Sequence, residues 1–291
     1  MAVFQLQNSY LTIKINSFGA ELCSVISNET KIEYIWQADE KVWARHAPNL
    51  FPIVGKLKDG VFEYQSQKYH LPQHGFARDQ EFICIVQTTD YLLFELTASE
   101  ESLEKYPFHF SLQVGYKLIE NKIEVSYSVF NPDNKKLYFS IGAHPAFNCP
   151  LQTNESFNDY ELYFPNKESI NINLLNEGLI TDKTREVNLQ NNRLKVSKEL
   201  FDSDALVCMN AQIHEVQLVS AKTKHGVSLL SNNWPYYGIW SKKGSEHFVC
   251  LEPWYGIADN ESATGDFINK TGIIALETEH YFNCSFDILF F

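Results

Sequence analysis

Long hydrophobic runs are missing from this chain of 291 residues. No segment approaches the ~18 consecutive apolar residues that a membrane helix requires. The N-terminal MAVFQLQNSYLTIKI lacks the basic start and apolar core of a signal peptide, so the expected compartment is the cytoplasm. Cysteine pairing motifs are missing as well. Cys23, Cys84, Cys149, Cys208, Cys250 and Cys284 are scattered with no CxxC spacing, which argues against a disulfide framework or a structural metal site. Several lie in strand-like runs (FICIV, FVCLE), where a buried free thiol is the expected occupant. Arginines number only four, lysines do not cluster, and the net charge is −12. That balance argues against nucleic acid and anionic membranes as partners, but leaves room for a small ligand. No HxH or HExxH spacing, glycine-rich phosphate loop or dinucleotide fingerprint occurs, so neither a metal nor a cofactor is expected. The glycines of GDFINKTG (265–272) read as a plain loop.

What is abundant is aromatic. Phe and Tyr number 21 and 15, within a hydrophobic fraction of 44%, enough for a sizeable core and biased toward strands. The apolar residues alternate with a period of two. IEVSYSVF (123–130) puts Ile123, Val125, Tyr127 and Val129 on one face, and LTIKI (11–15) does the same with Leu11, Ile13 and Ile15. YLLFELT, FSLQVGYKLI, HEVQLVS, GVSLLS, YGIWS and FVCLE follow, separated by turn signals such as KDG (58–60) and NPDN (131–134). This pattern predicts an all-β, antiparallel domain. SEESLEKY (99–106) predicts one short helix, opened by a serine cap whose capping box a nearby glutamate would close. The asparagine-rich stretch 166–205 predicts an elaborated loop or an edge hairpin. With no linker, charge block or repeat, residues 1–291 are expected to form a single domain, a large β-sandwich with a concave sheet that carries the ligand.

Three stretches hold candidate chemistry. PQHGFARD (72–79) places His74 beside a glycine, Arg78 and Asp79, but does not say whether the histidine is ligand, catalyst or turn filler. IGAHPAFN (141–148) delivers His144 from an apolar strand to a proline-marked exit. VCLEPWYG (249–256) delivers Glu252 likewise, with Pro253 expected to stop the ladder and Trp254 and Tyr255 to offer flat apolar surface. A carboxylate beside aromatic faces suits a pyranose, which has apolar C–H faces and a hydroxyl rim. A lone Glu at a strand end is more often a solvated residue. The shared order (strand, His or Glu, Pro, aromatic) favours an acid and a base across one pocket. Cys149, five residues beyond His144, lacks a reactive-cysteine context.

The sequence resembles the aldose 1-epimerase (galactose mutarotase) family, nearest its mutarotase-related bacterial branch. LFPIVGKLKDGVFEY (50–64), LPQHGFARD (71–79), IGAHPAFN (141–148), LFDSDAL (200–206) and CLEPWYGIAD (250–259) carry the resemblance, in family order. It implies a supersandwich fold and cofactor-free interconversion of the α and β anomers of an aldohexose, phosphorylated or not. It implies Glu252 as general base, His144 as general acid, His74 as a contact to the ring oxygen or its neighbours, and Asp204 (or Asp202) as the residue that fixes sugar hydroxyls. Arg78 and Trp254 would reach the same cleft. One departure stands out. Where the family carries an arginine, this chain has Lys56, which keeps a positive donor but loses the planar fork. Arg45, upstream in WARHAPN, could partly replace it, as happens in a hexose-phosphate branch.

The chemistry requires a proton to leave the anomeric hydroxyl and one to reach the ring oxygen, which a carboxylate and an imidazolium can do. Attraction between the two would hold Glu252 anionic and raise the histidine. Three rivals stay open: a carbohydrate-binding or regulatory protein without turnover, a lyase or glycosidase on a similar sandwich, and a structural interaction domain. Which hexose is used, and the oligomeric state, are not set by these residues.

Overall fold

Strands lie where the period-two runs predict them in the computed structural model, which describes residues 2–291. Ile123, Val125, Tyr127 and Val129 of Lys122–Phe130 are buried, as are Leu11, Ile13 and Ile15 of Leu11–Asn16. The intervening polar side chains stay partly in water, as a half-buried strand demands.

Two large antiparallel sheets result. The first runs from Arg193–Lys195 through Tyr160–Tyr163, Glu215–Ser220, Gly226–Leu230, Tyr281–Phe290, Lys122–Phe130, Ser111–Ile119 and Tyr91–Thr97 to Ile83–Gln87. The second runs from Leu179–Asn188 through Ser169–Asn176, Leu206–Cys208, Tyr236–Trp240, Phe248–Tyr255 and Ile141–Ala143 to Asn49–Leu50. Ala146–Asn148 also pairs with Phe248–Tyr255. Side chains from both sheets, among them Val125 and Phe286 from the first and Ile141 and Leu251 from the second, meet in one apolar core. The fold is therefore a large β-sandwich. Among the described residues, no helix is long and apolar enough to cross a membrane.

Three local expectations are refined. The stretch 166–205 does form an edge hairpin, Ser169–Asn176 with Leu179–Asn188. The one α-helix described, Glu100–Lys105, has its capping box, but Ser102 rather than a glutamate closes it. The Ser99 hydroxyl accepts the Ser102 N–H at 3.2 Å, and the Ser102 hydroxyl accepts the Ser99 N–H at 2.9 Å. Cys250 is buried as expected of FVCLE, whereas Cys84 of FICIV is half-exposed. Its strand is the outer edge of the nine-stranded sheet, where Ile83, Ile85 and Val86 also face water.

A buried polar cluster stitches the layers together beneath the second sheet's edge. The Asn49 amide donates to the carbonyls of Gly19 and Ala20, both at 2.9 Å, and accepts from the Tyr127 hydroxyl at 2.6 Å. Tyr116 donates to the Ala20 carbonyl at 2.6 Å. One side chain thus ties the N-terminal strands to both sheets, and Asn49 pairs with Ala143, the neighbour of His144. Asn49→Leu should lower stability by about 2 kcal/mol, since the Gly19 carbonyl and the Tyr127 hydroxyl lose a buried partner at ~1 kcal/mol or more each, while the Ala20 carbonyl keeps Tyr116. Urea unfolding should show the lower midpoint at an unchanged m-value; a midpoint like the parent's would mean the cluster is dispensable.

Candidate active site

The site begins with an interrupted ladder. Phe248–Tyr255 pairs with Ala146–Asn148 up to Cys250 opposite Ala146, and with Ile141–Ala143 from Trp254 opposite Gly142. The register is the same on both sides of the gap, so within it His144 falls directly opposite Glu252. Both are followed by proline, which has no N–H to give a ladder. Pro253 therefore does not end its strand, as the sequence suggested; the strand runs on to Tyr255, and Pro253 pairs with Tyr237 on its other side. Directly opposed residues share a face, and His144 Nε2 lies 3.1 Å from Glu252 Oε2. Glu252 is 1% exposed, far from the solvated strand-end glutamate of the plain reading.

Alternation sends Trp254 to the same side and Tyr255 to the other, where it packs on Trp234 and Phe282. Only Trp254 is thus a cleft surface. A β-carbon on Gly142 would come within 2.7 Å of its indole, and one on Gly238 within 2.3 Å. Those two glycines let the ring lie flat across three strands as the floor.

His74 arrives from the loop PQHGFARD with a left-handed backbone, φ 68°, a strained state that its surroundings must hold. They do so with two bonds to one residue. The His74 N–H donates to the Gly55 carbonyl at 2.8 Å, and the Gly55 N–H donates to His74 Nδ1 at 3.1 Å. With Nδ1 committed as acceptor, the ring is neutral and its proton is on Nε2. Arg78 donates to the Gln73 carbonyl at 2.6 Å and lies near Asp79, while Arg45 pairs with Asp79 at 3.0 Å.

Glu252, His144, His74, Arg78, Arg45, Asp204 and Trp254 all line one cleft of about 380 Å³, within the range of small-molecule sites. Lys56 is not among its lining residues. Its ammonium donates to the Glu177 carbonyl at 3.0 Å, at the tip of the edge hairpin. Asp202, the alternative to Asp204, also lies outside this lining.

Burial governs the protonation states. It pushes Glu252 well above the usual carboxylate range, helped by the Asp204 charge; the Trp254 indole N–H against the carboxylate opposes the rise. It pulls His144 down to about 3, with Arg78 and Arg45 adding to the fall. It also holds His74 far below the ordinary imidazole value, with His144, Arg78 and Arg45 adding to that. The expected carboxylate–imidazolium resting pair is therefore corrected. Desolvation leads both shifts, and their shared direction favours the neutral forms, one proton on Glu252 facing a neutral His144.

Sequence reasoning missed Trp43. Its ring stacks on His144 at 5.1 Å with 27° between planes, while Trp240 meets the same imidazole edge-on at 5.7 Å. The Trp43 carbonyl accepts the Trp36 indole N–H at 2.8 Å, and Glu21 accepts the N–H groups of His46 and Ala47, which fixes the loop. His144 Nδ1 and Glu252 Oε2 are both buried with no hydrogen-bond partner, so the 3.1 Å approach is a close contact without hydrogen-bond alignment and aromatic packing supplies the orientation of the imidazole. WARHAPN advertises Arg45 by its charge; an indole in a loop carries no such signal. A possible metal triad was also invisible to spacing: His144, Cys250 and Glu252 bring ligand atoms within 4.8 Å of one another. Burial and Glu252 hold the Cys250 thiol protonated, a poor state for a ligand.

The family model described as aldose 1-epimerase matches residues 2–274, and the chain belongs to that family. Among curated proteins it is 34% identical over 263 residues to Protein LacX (plasmid) of Lactococcus lactis, covering 87% of this chain and 88% of that one. Among solved structures it resembles a galactose mutarotase related enzyme from Lactobacillus acidophilus, with TM-score 0.95, 33% identity, and 100% and 97% of the two chains covered. A galactose mutarotase-like protein from Lactobacillus casei gives TM-score 0.91 at 29% identity, covering all of both chains.

The proton count of the pair sets a pH profile for any acid–base turnover in this cleft. A second proton must go onto His144, so the acid limb should lie near pH 3 rather than near the ordinary imidazole value. Loss of the single proton must ionise Glu252, so the alkaline limb should lie well above the usual carboxylate range. Anomer exchange measured against pH, with far-UV circular dichroism to confirm folding, checks both limbs. An imidazolium under Trp43 should quench its fluorescence along the acid limb, and Trp43→Phe should abolish that change. An acid limb at ~6.5 would mean that burial does not control His144.

Proposed function

We propose that the protein is a cofactor-independent isomerase that interconverts the α and β anomers of an aldohexose. The observation that carries this reading is the Glu252–His144 contact of 3.1 Å on the floor of the cleft, beside the Trp254 face. In the ring-opening step the O1–H bond breaks and its electron pair becomes the C=O π bond. The C1–O5 bond breaks, its pair stays on O5, and an O5–H bond forms. Glu252 takes the O1 proton and His144 supplies the O5 proton. The form that does this, carboxylate with imidazolium, has the same proton total as the resting pair, so moving one proton across the contact prepares it. Rotation about C1–C2 presents the other carbonyl face, and the steps reverse.

The remaining groups are assigned by their free valences. His74 is pinned through Nδ1, and its Nε2, 3.3 Å from the Gln73 side-chain amide, would exchange that neighbour for a ring or hydroxyl oxygen. Asp204 accepts from hydroxyls, and Trp254 meets the C–H face of the pyranose. Arg45 and Arg78 share Asp79, and Arg78 is further engaged by the Gln73 carbonyl. Their charge is partly satisfied within the protein, which favours an unphosphorylated hexose.

Glu252→Gln should lose the ~10²–10⁴-fold that a positioned acid–base group contributes, while sugar binding survives. His144→Asn should lose a comparable factor, and the double variant little more, because the two share one proton exchange. NMR exchange between the anomers of glucose and galactose measures turnover, and titration calorimetry measures binding. A parent that binds sugar but leaves the solvent rate unchanged would establish the binding-protein reading instead.

A further inference from the structure

The gap that parts His144 from the ladder with Phe248–Tyr255 is closed on the other side of its own chain. Gly142 and Ala143 pair with Leu50 and Asn49. His144 donates its N–H to the Pro48 carbonyl at 3.1 Å, and Ala146 donates to the His46 carbonyl at 3.0 Å. One antiparallel register therefore runs unbroken from Leu50 back to His46, and this segment is the template for the His144 backbone. It ends at Ala146, whose carbonyl accepts the Trp36 N–H at 3.0 Å instead. Opposed residues of an antiparallel ladder can exchange both bonds. His46 gives its carbonyl to Ala146, but its N–H finds no carbonyl in return.

Glu21 supplies the missing acceptor. Its Oε1 accepts the N–H groups of His46 and Ala47, both at 2.9 Å. The preceding carbonyls, of Gly19 and Ala20, receive the Asn49 amide, so residues 19–21 grip the template at both ends. The grip falls three residues beyond Trp43, whose ring stacks on the His144 imidazole. We infer that Glu21 is a positioning residue for His144: by capping the His46–Leu50 template it fixes both the backbone that carries the imidazole and the indole that orients it. Glu21 does not line the cleft, so it acts through these neighbours and never on sugar. The inference rests on the proposed anomer exchange and requires an effect on turnover rather than on binding. His74, Asp204 and Trp254 sit on other elements, and Arg45 stays tied to Asp79.

Anomer exchange by NMR in variants of Glu21 tests this, with amide hydrogen exchange and Trp43 emission as readouts that need no turnover. Glu21→Leu removes the acceptor and should lower kcat by about tenfold or more, with KM within about twofold. Glu21→Asp, one methylene shorter, should not reach both N–H groups and should lose roughly fivefold in kcat. Glu21→Gln keeps an oxygen at the same reach and should hold kcat within about twofold of the parent. Glu155→Gln is the control. It disturbs another carboxylate, bonded to Tyr160, Ser220 and Thr223 outside the cleft lining, and should leave kcat unchanged. Should Glu21→Leu fail to fold, a loss in the Asp variant that the Gln variant does not share upholds the role, and equal rates refute it. Parent-like kcat, an effect on KM alone, or a matching loss in Glu155→Gln would overturn the role and leave the proposed function standing. If the parent exchanges no anomers, the proposed function falls and the other readouts decide. Faster amide exchange at His144 and Ala146 in Glu21→Asp, with a change in the emission that Trp43→Phe removes, upholds the role; parent-like protection refutes it.

Discussion

Everything at this site depends on one cross-strand pair in an interrupted ladder. His144 and Glu252 oppose one another because the pairings on either side of the gap, Ala146 with Cys250 and Gly142 with Trp254, keep one register. A slip of one residue would send either side chain to the opposite face, into the apolar core. The prolines that follow both residues remove ladder donors where the chain must part, and the paired stretches beyond them hold the spacing. The acid–base contact is thus set by backbone pairing before any side-chain preference acts.

The same register fixes the surroundings. The period of two that aims Glu252 at the cleft also aims Trp254 there, and Tyr255 away from it. Gly238 lies opposite Glu252 and Gly142 opposite Trp254, and their missing β-carbons make room for the indole. Asn49, paired with Ala143, carries the register down into the buried cluster with Tyr116 and Tyr127. The edge of the second sheet is therefore held by polar bonds of known partners, while its centre is held by packing.

How much of this is legible in the sequence follows from the range of each interaction. Strand faces such as that of Ile123, Val125, Tyr127 and Val129 are local and periodic, so they are read directly. The repeated order of His144–Pro145 and Glu252–Pro253 also shows in the chain, and it marks the two halves of the pair. The facing of those halves does not show, because it is a pairing between segments far apart in sequence. Lys56 is visible as an unusual residue, yet its partner, the Glu177 carbonyl, exists only once the edge hairpin folds over. Trp43 has neither a motif nor a charge to mark it. The protonation of the pair is hidden for another reason. Sequence reasoning sees two groups that attract, whereas in the fold desolvation leads the shifts of both.

That desolvation suits the chemistry rather than hindering it. A site that penalises the imidazolium and the carboxylate alike disfavours any change in the pair's total number of protons. Anomer exchange requires no such change, since each proton removed from O1 is matched by one delivered to O5. The aromatic wall of Trp43 and Trp240 around His144, with Trp254 beside Glu252, therefore does two things at once. It excludes the water that would titrate the two groups independently, and it keeps the pair's proton total fixed while a proton passes between them. A wetter cleft would restore the ordinary separation of the two pKa values, and with it a strong dependence on solvent pH. Burying both partners on one sheet face makes the pair behave as a single one-proton unit.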